Sequence, residues 1–396
     1  MLTIINTQKT LKSNSFFSVF NRDLKLIFST NLVGSFGDGL FAYLLPRYMT
    51  DSLSATAAQV GILYALTSLT AALTLLLAGM MADKYDRKKI MIAGWVAWLP
   101  APIIFSLAQN WLQMLPGMIL WGFWLGGPTG TAYIVTTAEK SKLTSTFTTL
   151  SAAWSVGYTF SPALGGYIAG IIGMKVVFYM SFILYGSATA ILFFIRSQKA
   201  ANSRSTEENQ SLLKLLRTKK LVILSAYFAL MMFALMLMRP FIPNFLGEKY
   251  GYSDFEIGIL GSFSFFGSAV LGMLLGRLAD QRKKAYALAG SMLLTATSLT
   301  LLLQFNNYAI LLIALFLAGG SYMIWSLMGA VVGPLAPECI RARWVCIPQS
   351  LSMLTSFIAP YIGGLLYEAS PYYPFLVTIA IAPFLAIASF GKVFEQ

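Results

Sequence analysis

The two halves of this chain carry the same landmarks at the same spacing, and this duplication limits the possible fold more than any other feature. Four landmarks return 197 positions later, so that Pro46, Gly61, Gly79 and Asp83 are matched by Pro243, Gly258, Gly276 and Asp280. A second set returns 198 positions later, with Pro162, Gly165 and Gly166 matched by Pro360, Gly363 and Gly364. Two related halves can enclose a cleft that opens first to one side and then to the other. Repeats of this kind are typical of secondary transporters.

The composition identifies the medium in which these halves fold. Hydrophobic residues make up 57% of the chain and charged residues only 11%, whereas a soluble domain carries about 25% charged residues. Twelve apolar runs have membrane-spanning length: 26–48, 59–79, 90–108, 112–135, 147–171, 174–195, 221–246, 255–276, 285–304, 308–333, 345–367 and 371–391. We therefore predict an all-α membrane protein with twelve transmembrane helices in two pseudo-symmetric six-helix bundles.

The hydrophilic segments divide the chain into five predicted parts. They are an N-terminal tail (1–25), a six-helix bundle (26–195), a linker (196–220), a second six-helix bundle (221–391) and a short C-terminal tail (392–396). The polar first residues lead directly into a full-length span, so we expect a tail rather than a cleavable signal peptide.

The positive charge is distributed by topology. The net charge is +13, and Lys and Arg are concentrated in the N-terminal tail, in every second loop and at the C-terminus. The intervening loops keep only Arg47, Lys175 and Lys249. This positive-inside pattern predicts a multi-pass protein of the cell (inner or plasma) membrane with both termini in the cytoplasm. It indicates contact with the lipid bilayer and argues against nucleic-acid binding.

Reactive residues are scarce. The chain has no histidine and two cysteines, Cys339 and Cys346, whose spacing fits no metal site, so we expect small packing residues and neither a metal nor a cofactor. An intramembrane aspartyl enzyme would need two embedded carboxylates, and a receptor would ordinarily carry a substantial soluble module. Both remain remote alternatives, and we predict that the protein is not an enzyme.

The loop after the second run carries a motif, Gly79-Met-Met-Ala-Asp83-Lys-Tyr-Asp86-Arg87-Lys-Lys. Gly79 permits close helix approach, and Asp83 is placed to cap the third span. The loop resembles the major facilitator superfamily signature Gly-x-x-x-Asp-(Arg/Lys)-x-Gly-(Arg/Lys)-(Arg/Lys), and the resemblance extends over the chain after residue 25. Asp86 replaces the second glycine, and the second copy is two residues shorter. The resemblance implies a conformational latch at Gly79, Asp83, Arg87, Gly276 and Asp280; the alternative is that these residues only fix topology.

A second motif lies in the fifth run, where Gly157, Pro162, Gly165 and Gly166 are similar to the antiporter-associated pattern Gly-x-x-x-Gly-Pro-x-x-Gly-Gly, with Ser161 replacing a glycine. This similarity implies export in exchange for protons. The eleventh run repeats the pattern at Pro360, Gly363 and Gly364, so helix packing common to both halves is the alternative.

Asp38 is one of two ionisable residues well inside the runs. It lies roughly 18 Å along the first helix, near the bilayer midplane. Embedded charges are costly and usually face a cavity. Asn31, Gly34 and Ser35 share its helix face, and this polar stripe suits a water-filled cleft. We nominate Asp38 as a proton carrier or as the counter-charge of a cationic substrate; the alternative is a buried aspartate that stabilises helix packing.

Arg239 is the other embedded charge, and under the 197-residue offset it corresponds to Ala42, one turn beyond Asp38. Three alternatives stay open. Arg239 pairs with Asp38 in one conformational state, or it binds an anionic substrate, or it extends toward the outer surface.

Aromatic and methionine side chains complete the predicted cavity. The candidates are Tyr43, Trp121, Trp124, Tyr158, Met232, Met236, Tyr322 and Trp325. Such a cavity suits lipophilic compounds. The leading hypothesis is a monomeric, alternating-access secondary transporter that exports small amphipathic or drug-like compounds in exchange for protons. The alternative is a symporter or facilitator for a metabolite such as a sugar or an organic anion.

Overall fold

The computed structural model describes residues 20–82, 84–139, 142–199, 218–332 and 341–391, with side chains except at positions 76, 144, 326 and 341–346. Most of the predicted tails and linker lie outside this description. So do Asp83, Cys339 and the side chain of Cys346, and the expectations for these residues remain predictions.

Twelve helical spans run through the described residues, and no strand occurs among them. The first six are Arg22–Ala42 with Leu45–Asp51, Ala57–Ala82, Arg87–Trp98 with Pro100–Leu107, Trp111–Trp121 with Gly126–Thr137, Leu143–Ile171 and Met174–Leu192. The second six are Lys219–Met238 with Arg239–Phe241 and Ile242–Tyr250, Asp254–Gln281, Lys284–Gln304, Tyr308–Ala318 with Gly319–Met323 and Ile324–Val332, Arg341–Ala369 and Tyr373–Ala388. We number them span 1 to span 12.

Eight of the spans in the described residues are long and apolar enough to cross a membrane on length and composition alone. The other four are spans 1, 4, 5 and 12. Span 4 is interrupted between Trp121 and Gly126, and span 12 has only 16 residues. Spans 1 and 5 contain more polar residues.

Span 1 and span 7 are broken at equivalent points. Span 1 is interrupted at Tyr43, just before Pro46, and span 7 tightens into a 3₁₀ turn at Arg239, beside Pro240. Proline removes a backbone donor and clashes with the preceding turn, which explains both breaks. Non-helical backbone at membrane depth is tolerated where it borders a cavity. The two breaks therefore mark the centre of the molecule.

The duplicated landmarks make equivalent backbone contacts within each half. Gly165 of span 5 lies against span 1, where a Cβ would come within 1.8 Å of the Leu40 carbonyl oxygen. Gly363 of span 11 lies against span 7, where a Cβ would come within 2.0 Å of the Leu237 carbonyl oxygen. Leu40 and Leu237 are themselves 197 positions apart. Each copy of the motif thus brings two helices into backbone contact.

Equivalent contacts also join the two halves. The Pro162 carbonyl oxygen lies 2.3 Å from the Cβ position of Gly258, and the Pro360 carbonyl oxygen lies 2.3 Å from that of Gly61. One turn farther on, Gly166 contacts the backbone of Asp254 and Gly364 contacts the backbone of Ala57. Spans 5 and 8 therefore cross as spans 11 and 2 do, and the approximate two-fold relation extends to backbone atoms.

The halves are joined at one end of the spans. We call the end with residues 84–86, 196–199 and 282–283 the linker end, and the end with residues 52–56, 172–173, 251–253 and 370–372 the far end. At the far end Arg47 pairs with Asp254 at 2.8 Å. The backbone N–H of Ala58, in the first turn of span 2, donates to the Glu368 carboxylate at 2.9 Å. The cleft between the halves is closed at this end.

Candidate functional site

A central cavity of about 290 Å³ lies between the two breaks and is lined by both halves. The first half contributes Asp38, Tyr43, Tyr64, Trp121 and Tyr158. The second half contributes Met236, Arg239, Phe265, Ser321 and Tyr322. Five predicted residues besides the two charges thus meet there, namely Tyr43, Trp121, Tyr158, Met236 and Tyr322.

The carboxylate of Asp38 is buried and accepts hydrogen bonds from three donors. One oxygen accepts from the indole N–H of Trp121 at 2.7 Å and from the hydroxyl of Tyr185, and the other accepts from the hydroxyl of Tyr158. The donors come from spans 4, 6 and 5, all in the first half. Indole can only donate, whereas a phenol can also accept. A protonated Asp38 can therefore donate to one of the tyrosines only if that tyrosine turns its hydroxyl to accept.

Glycines beside Asp38 make this convergence possible. A Cβ on Gly37 would lie 2.9 Å from Leu184 on span 6, and a Cβ on Gly39 would lie 2.0 Å from the hydroxyl of Ser161 on span 5. Because neither residue has a side chain, spans 5 and 6 approach span 1 closely enough for their tyrosines to reach one carboxylate.

The polar stripe predicted along span 1 does not face one water-filled cleft. Ser35 is fully buried and donates to the Ala153 carbonyl at 3.4 Å, and Gly34 packs directly against the Trp95 ring. Helix packing occupies these positions, because Trp95 of span 3 and Ala153 of span 5 lie so close to span 1 that only small residues fit there. Asn31 lines a separate cavity of about 220 Å³ toward the linker end, together with Trp124. These two predicted residues are therefore not part of the central cavity.

Arg239 projects from the break in span 7 into the central cavity. Its Nη2 donates to the hydroxyl of Ser321 at 2.8 Å, and its guanidinium carbon lies 4.1 Å from the centre of the Tyr322 ring. These contacts contradict the alternative in which Arg239 extends to the outer surface. Although both charges line the cavity, no ion pair joins Arg239 to Asp38 in this conformation.

Aromatic rings connect the two charged residues across the cleft. The Tyr158 ring lies 4.6 Å from the Phe265 ring, and Phe265 lies 5.3 Å from Tyr322, on whose face Arg239 rests. Tyr158 is also a donor to Asp38. One continuous set of contacts thus runs from the acid of the first half to the base of the second.

Two predicted cavity residues lie elsewhere. Met232 is 2% exposed and packs in the hydrophobic core, since one turn before Met236 the seventh span is enclosed by its neighbours. Trp325 packs against the same core. Four residues near the two charges were not predicted from the sequence, namely Tyr185, Tyr64, Phe265 and Ser321. A usable signal was present for Tyr185, because tyrosines concentrate at membrane interfaces and this one lies in the middle of its span.

The loop between spans 2 and 3 contradicts one local expectation. Span 3 is capped by Asp86, whose carboxylate accepts from the backbone N–H of Lys88 at 3.0 Å. Asp86 also accepts from the hydroxyl of Ser197 and from the backbone N–H of Gln198 at 3.2 Å. Burial raises the pKa of Asp86, but these hydrogen bonds outweigh it and the pKa is lowered from its ordinary value. The residue that departs from the signature is the cap, while Asp83 lies outside the described residues.

The other predicted latch residues make few contacts across the cleft. Arg87 donates to Thr136 at 2.7 Å and to Gln198 at 2.8 Å, both outside the second half. No atom lies within 4 Å of a Cβ placed on Gly79, and only the Met323 methyl group approaches Gly276, at 3.9 Å. Asp280 is exposed. In the part of the chain that the structure describes, no group of three or more Cys, Asp or Glu residues could hold a metal ion.

Twelve spans in two related halves around a shared central cavity define a membrane transporter. The Major Facilitator Superfamily pattern matches residues 27–242 and 228–394, and the chain belongs to that superfamily of secondary transporters. It is a multi-pass membrane protein that moves small molecules and is not an enzyme.

Known relatives and solved structures agree with this assignment. Multidrug resistance protein 2 of Bacillus subtilis is 23% identical over 392 residues, covering 92% of this chain and 93% of the relative. Quinolone resistance protein NorA of Staphylococcus aureus is 23% identical over 375 residues, covering 91% and 94%. The fold matches nucleoside transporter NupG with a TM-score of 0.74 at 14% identity, covering 95% and 100%. A POT family transporter in complex with a thioalcohol conjugated peptide matches with a TM-score of 0.74 at 15% identity, covering 95% and 97%.

Proposed function

We propose that the protein exports small amphipathic compounds in exchange for protons, and that Asp38 carries the proton. The observation that carries this proposal is the isolated, buried carboxylate with its three donors at the edge of a cavity shared by both halves. The two relatives named for resistance to drugs support an exporter of drug-like compounds.

Asp38 can report its protonation state to the second half. When Asp38 is ionised, all three donors bind it. When it is protonated, its own O–H needs an acceptor, and Tyr158 can supply one only by turning its hydroxyl. A weakened hydrogen bond to Asp38 also frees the Tyr158 ring to shift, and because that ring packs on Phe265, a shift of the ring would reach a helix of the other half. Binding of a proton and movement of the halves are thereby linked through one contact.

The lining of the central cavity supports amphipathic substrates over sugars. Its wall is formed mainly by aromatic rings, prolines, methionines and small apolar residues. Besides the tyrosines and Trp121, its polar lining residues are Asp38, Arg239, Ser264 and Ser321, and no Asn or Gln side chain is among its lining residues in the described chain. Asn244, which is one turn from the cavity, instead donates to Thr50 at 3.1 Å. A sugar site requires several convergent polar groups. A symporter or facilitator of sugars is therefore the weaker candidate.

The topology completes the proposal. We place the linker end, the termini and the linker in the cytoplasm, because the basic residues concentrate there. The far end then faces outward, and the closure by Arg47, Asp254 and Glu368 makes this conformation closed to the outside. We further propose that the protein works as a monomer in the plasma membrane, with bundles 26–195 and 221–391 rocking about the cavity. The latch in this proposal consists of the loop residues Gly79, Asp83, Arg87, Gly276 and Asp280.

Proton flux in liposomes tests the proposal. Purified protein is reconstituted with a pH-sensitive dye trapped inside, and 2-naphthamide and related aromatic compounds are added, with protein-free liposomes as background. We expect added compound to drive proton movement in the wild type. We expect Asp38→Asn to bind compound but to move no protons.

Asp86→Asn is the matched control, since Asp86 is a carboxylate of the loop between spans 2 and 3 and lies outside the cavity. It should keep the wild-type proton flux. Coupled proton flux that survives in Asp38→Asn would refute the role of Asp38, and flux absent from the wild type with every compound would refute proton exchange.

A further inference from the structure

We propose that Arg239, Ser321, Tyr322 and Tyr43 form a carboxylate-binding subsite, so that the preferred substrates are amphipathic anions. This inference rests on the central cavity being the substrate site. It goes further because it names the charge of the transported group and the side chains that recognise it.

The guanidinium of Arg239 has unused binding capacity. Arginine carries five N–H donors in a planar fork that matches the two oxygens of a carboxylate. In the described residues one hydrogen bond from this side chain is formed, to Ser321 at 2.8 Å. No carboxylate pairs with it, and its side chain lines the cavity. The remaining donors are therefore available to an acceptor that enters the cavity.

Asp38 cannot be that acceptor in this conformation, and it is poorly suited to receive a cation. Its two oxygens already accept from Trp121, Tyr158 and Tyr185. A carboxylate offers about four lone-pair positions, of which three are then occupied. The carboxylate of Asp38 thus finds its hydrogen-bond donors within the first half. The guanidinium of Arg239 has no carboxylate partner among the described residues.

Tyr43 supplies an independent observation. Its hydroxyl is buried and has no hydrogen-bond partner, yet its ring lines the same cavity. A buried polar group without a partner is costly, and a bound ligand that accepts its hydrogen bond removes that cost. A phenol can donate to a carboxylate oxygen. Tyr43 therefore adds a donor to those of Arg239.

The Tyr322 ring explains how the guanidinium of Arg239 is stabilised without a carboxylate partner. A guanidinium over an aromatic face is stabilised by the electron-rich ring, and here the separation is 4.1 Å. This contact leaves the edge of the guanidinium open, and the edge is what binds a carboxylate in a bidentate pair. The rings around it can hold the apolar part of an amphipathic anion.

Binding of three matched probes tests the inference without any proton gradient. Isothermal titration calorimetry of the full-length protein in detergent compares 2-naphthoate, 2-naphthamide and 2-naphthylmethylammonium, which share one ring system and differ in charge. We expect naphthoate to bind about ten- to hundredfold more tightly than naphthamide, the range for hydrogen bonds to a charged group. The ammonium probe should bind most weakly.

Single substitutions test whether the preference for naphthoate over naphthamide comes from the carboxylate-binding subsite. Arg239→Gln should bind naphthoate and naphthamide equally, and Arg239→Lys should keep part of the preference, because it retains charge but loses the fork. Tyr43→Phe should reduce naphthoate affinity about threefold to tenfold, the value of one ordinary hydrogen bond. Lys249→Gln is the matched control, since Lys249 also lies over a ring, that of Tyr372, but at the far end; its preference should equal that of the wild type. Retained naphthamide binding shows that each variant is folded.

The outcomes separate this inference from the proposed function. Equal binding of all three probes, or tightest binding of the ammonium probe, overturns the carboxylate subsite and leaves proton-coupled export standing. A preference that persists in Arg239→Gln also overturns it. Absence of binding by every probe to the wild type overturns both, because the cavity is then not the substrate site.

Discussion

The two halves of the molecule share one backbone frame and carry opposite chemistry. At equivalent positions, Gly165 packs on Leu40 and Gly363 packs on Leu237. The charges at the cavity have no such equivalents. Under the 197-residue offset Asp38 corresponds to Leu235, which is fully buried, and Arg239 corresponds to Ala42. Duplication preserved the contacts that let helices cross, while the charged residues at the cavity have no counterpart in the other half.

The hydrogen bonding of the two charges differs in the same way. The acid has three donors from its own half, whereas the base has one acceptor and an aromatic face. A carboxylate whose oxygens already accept hydrogen bonds can gain or lose a proton when those hydrogen bonds rearrange. An unsatisfied guanidinium requires a partner from outside. We infer that the first half handles the proton and that the second half supplies the positive charge that recognises the substrate.

The largest expected effect comes from giving the first half the residue of the second. Asp38→Leu should abolish gradient-driven transport and should also destabilise the protein by about 2–5 kcal/mol, because Trp121, Tyr158 and Tyr185 lose their shared acceptor. Asp38→Asn keeps an acceptor oxygen and should be more stable. Thermal unfolding in detergent measures the difference. Equal melting temperatures for the two variants would contradict the three-donor network.

A second prediction tests whether the equivalent glycine contacts of the two halves stabilise the closed far end equally. In Gly166→Ala the new Cβ would lie 2.2 Å from the backbone carbonyl oxygen of Asp254, and in Gly364→Ala it would lie 2.4 Å from that of Ala57. Such overpacking costs about 1–3 kcal/mol. Both variants should therefore shift the population toward a conformation open at the far end, by about five- to hundredfold.

The shift can be measured by labelling a single cysteine placed in the far-end cleft. Gly170→Ala is the matched control on the same helix, since no atom lies within 4 Å of its Cβ position. A shift in only one of the two glycine variants would show that the frame is symmetric in geometry but not in function.

A third prediction concerns the aromatic contact through which the halves communicate. Phe265→Leu removes the ring that joins Tyr158 to Tyr322. We expect a loss of coupling of about 0.5–2 kcal/mol, so that proton flux per transported molecule falls. Because Phe265 also lines the cavity, binding of 2-naphthamide should weaken as well, and the flux is therefore compared per transported molecule. Phe263→Leu is a suitable control, because Phe263 is exposed on the same span. Unaltered coupling in Phe265→Leu would assign communication to the backbone contacts instead.

The sequence predicted the frame better than the cavity, for a physical reason. Span number, repeat and packing glycines follow from apolar length and small-residue spacing, which are local properties of the chain. The identity of a cavity wall depends on how helices rotate about their axes. One helical turn separated Met236, which lines the cavity, from Met232, which does not. The donors of Asp38 come from three distant spans, and Tyr185 could not be connected with Asp38 from its position in the chain.

The smallest expected effect lies at the loops, where the halves also differ. Span 3 is capped by Asp86, whereas span 9 begins after Lys283 with no side-chain cap. Asp86→Ala should cost about 1 kcal/mol, as loss of a helix cap does, and should loosen Ser197 and Gln198, which limited proteolysis of the linker can detect. The pKa of Asp86 is lowered in the folded state, so its stabilisation is complete above the ordinary aspartate value of about 3.9 and is lost as the pH falls through the lower folded value. Asp280→Ala is the control at the second copy of the loop motif, where the carboxylate is exposed. It should leave both linker cleavage and stability unchanged. If it matched Asp86→Ala in cleavage and stability, the two loops would be equivalent and the difference between the halves would be confined to the cavity.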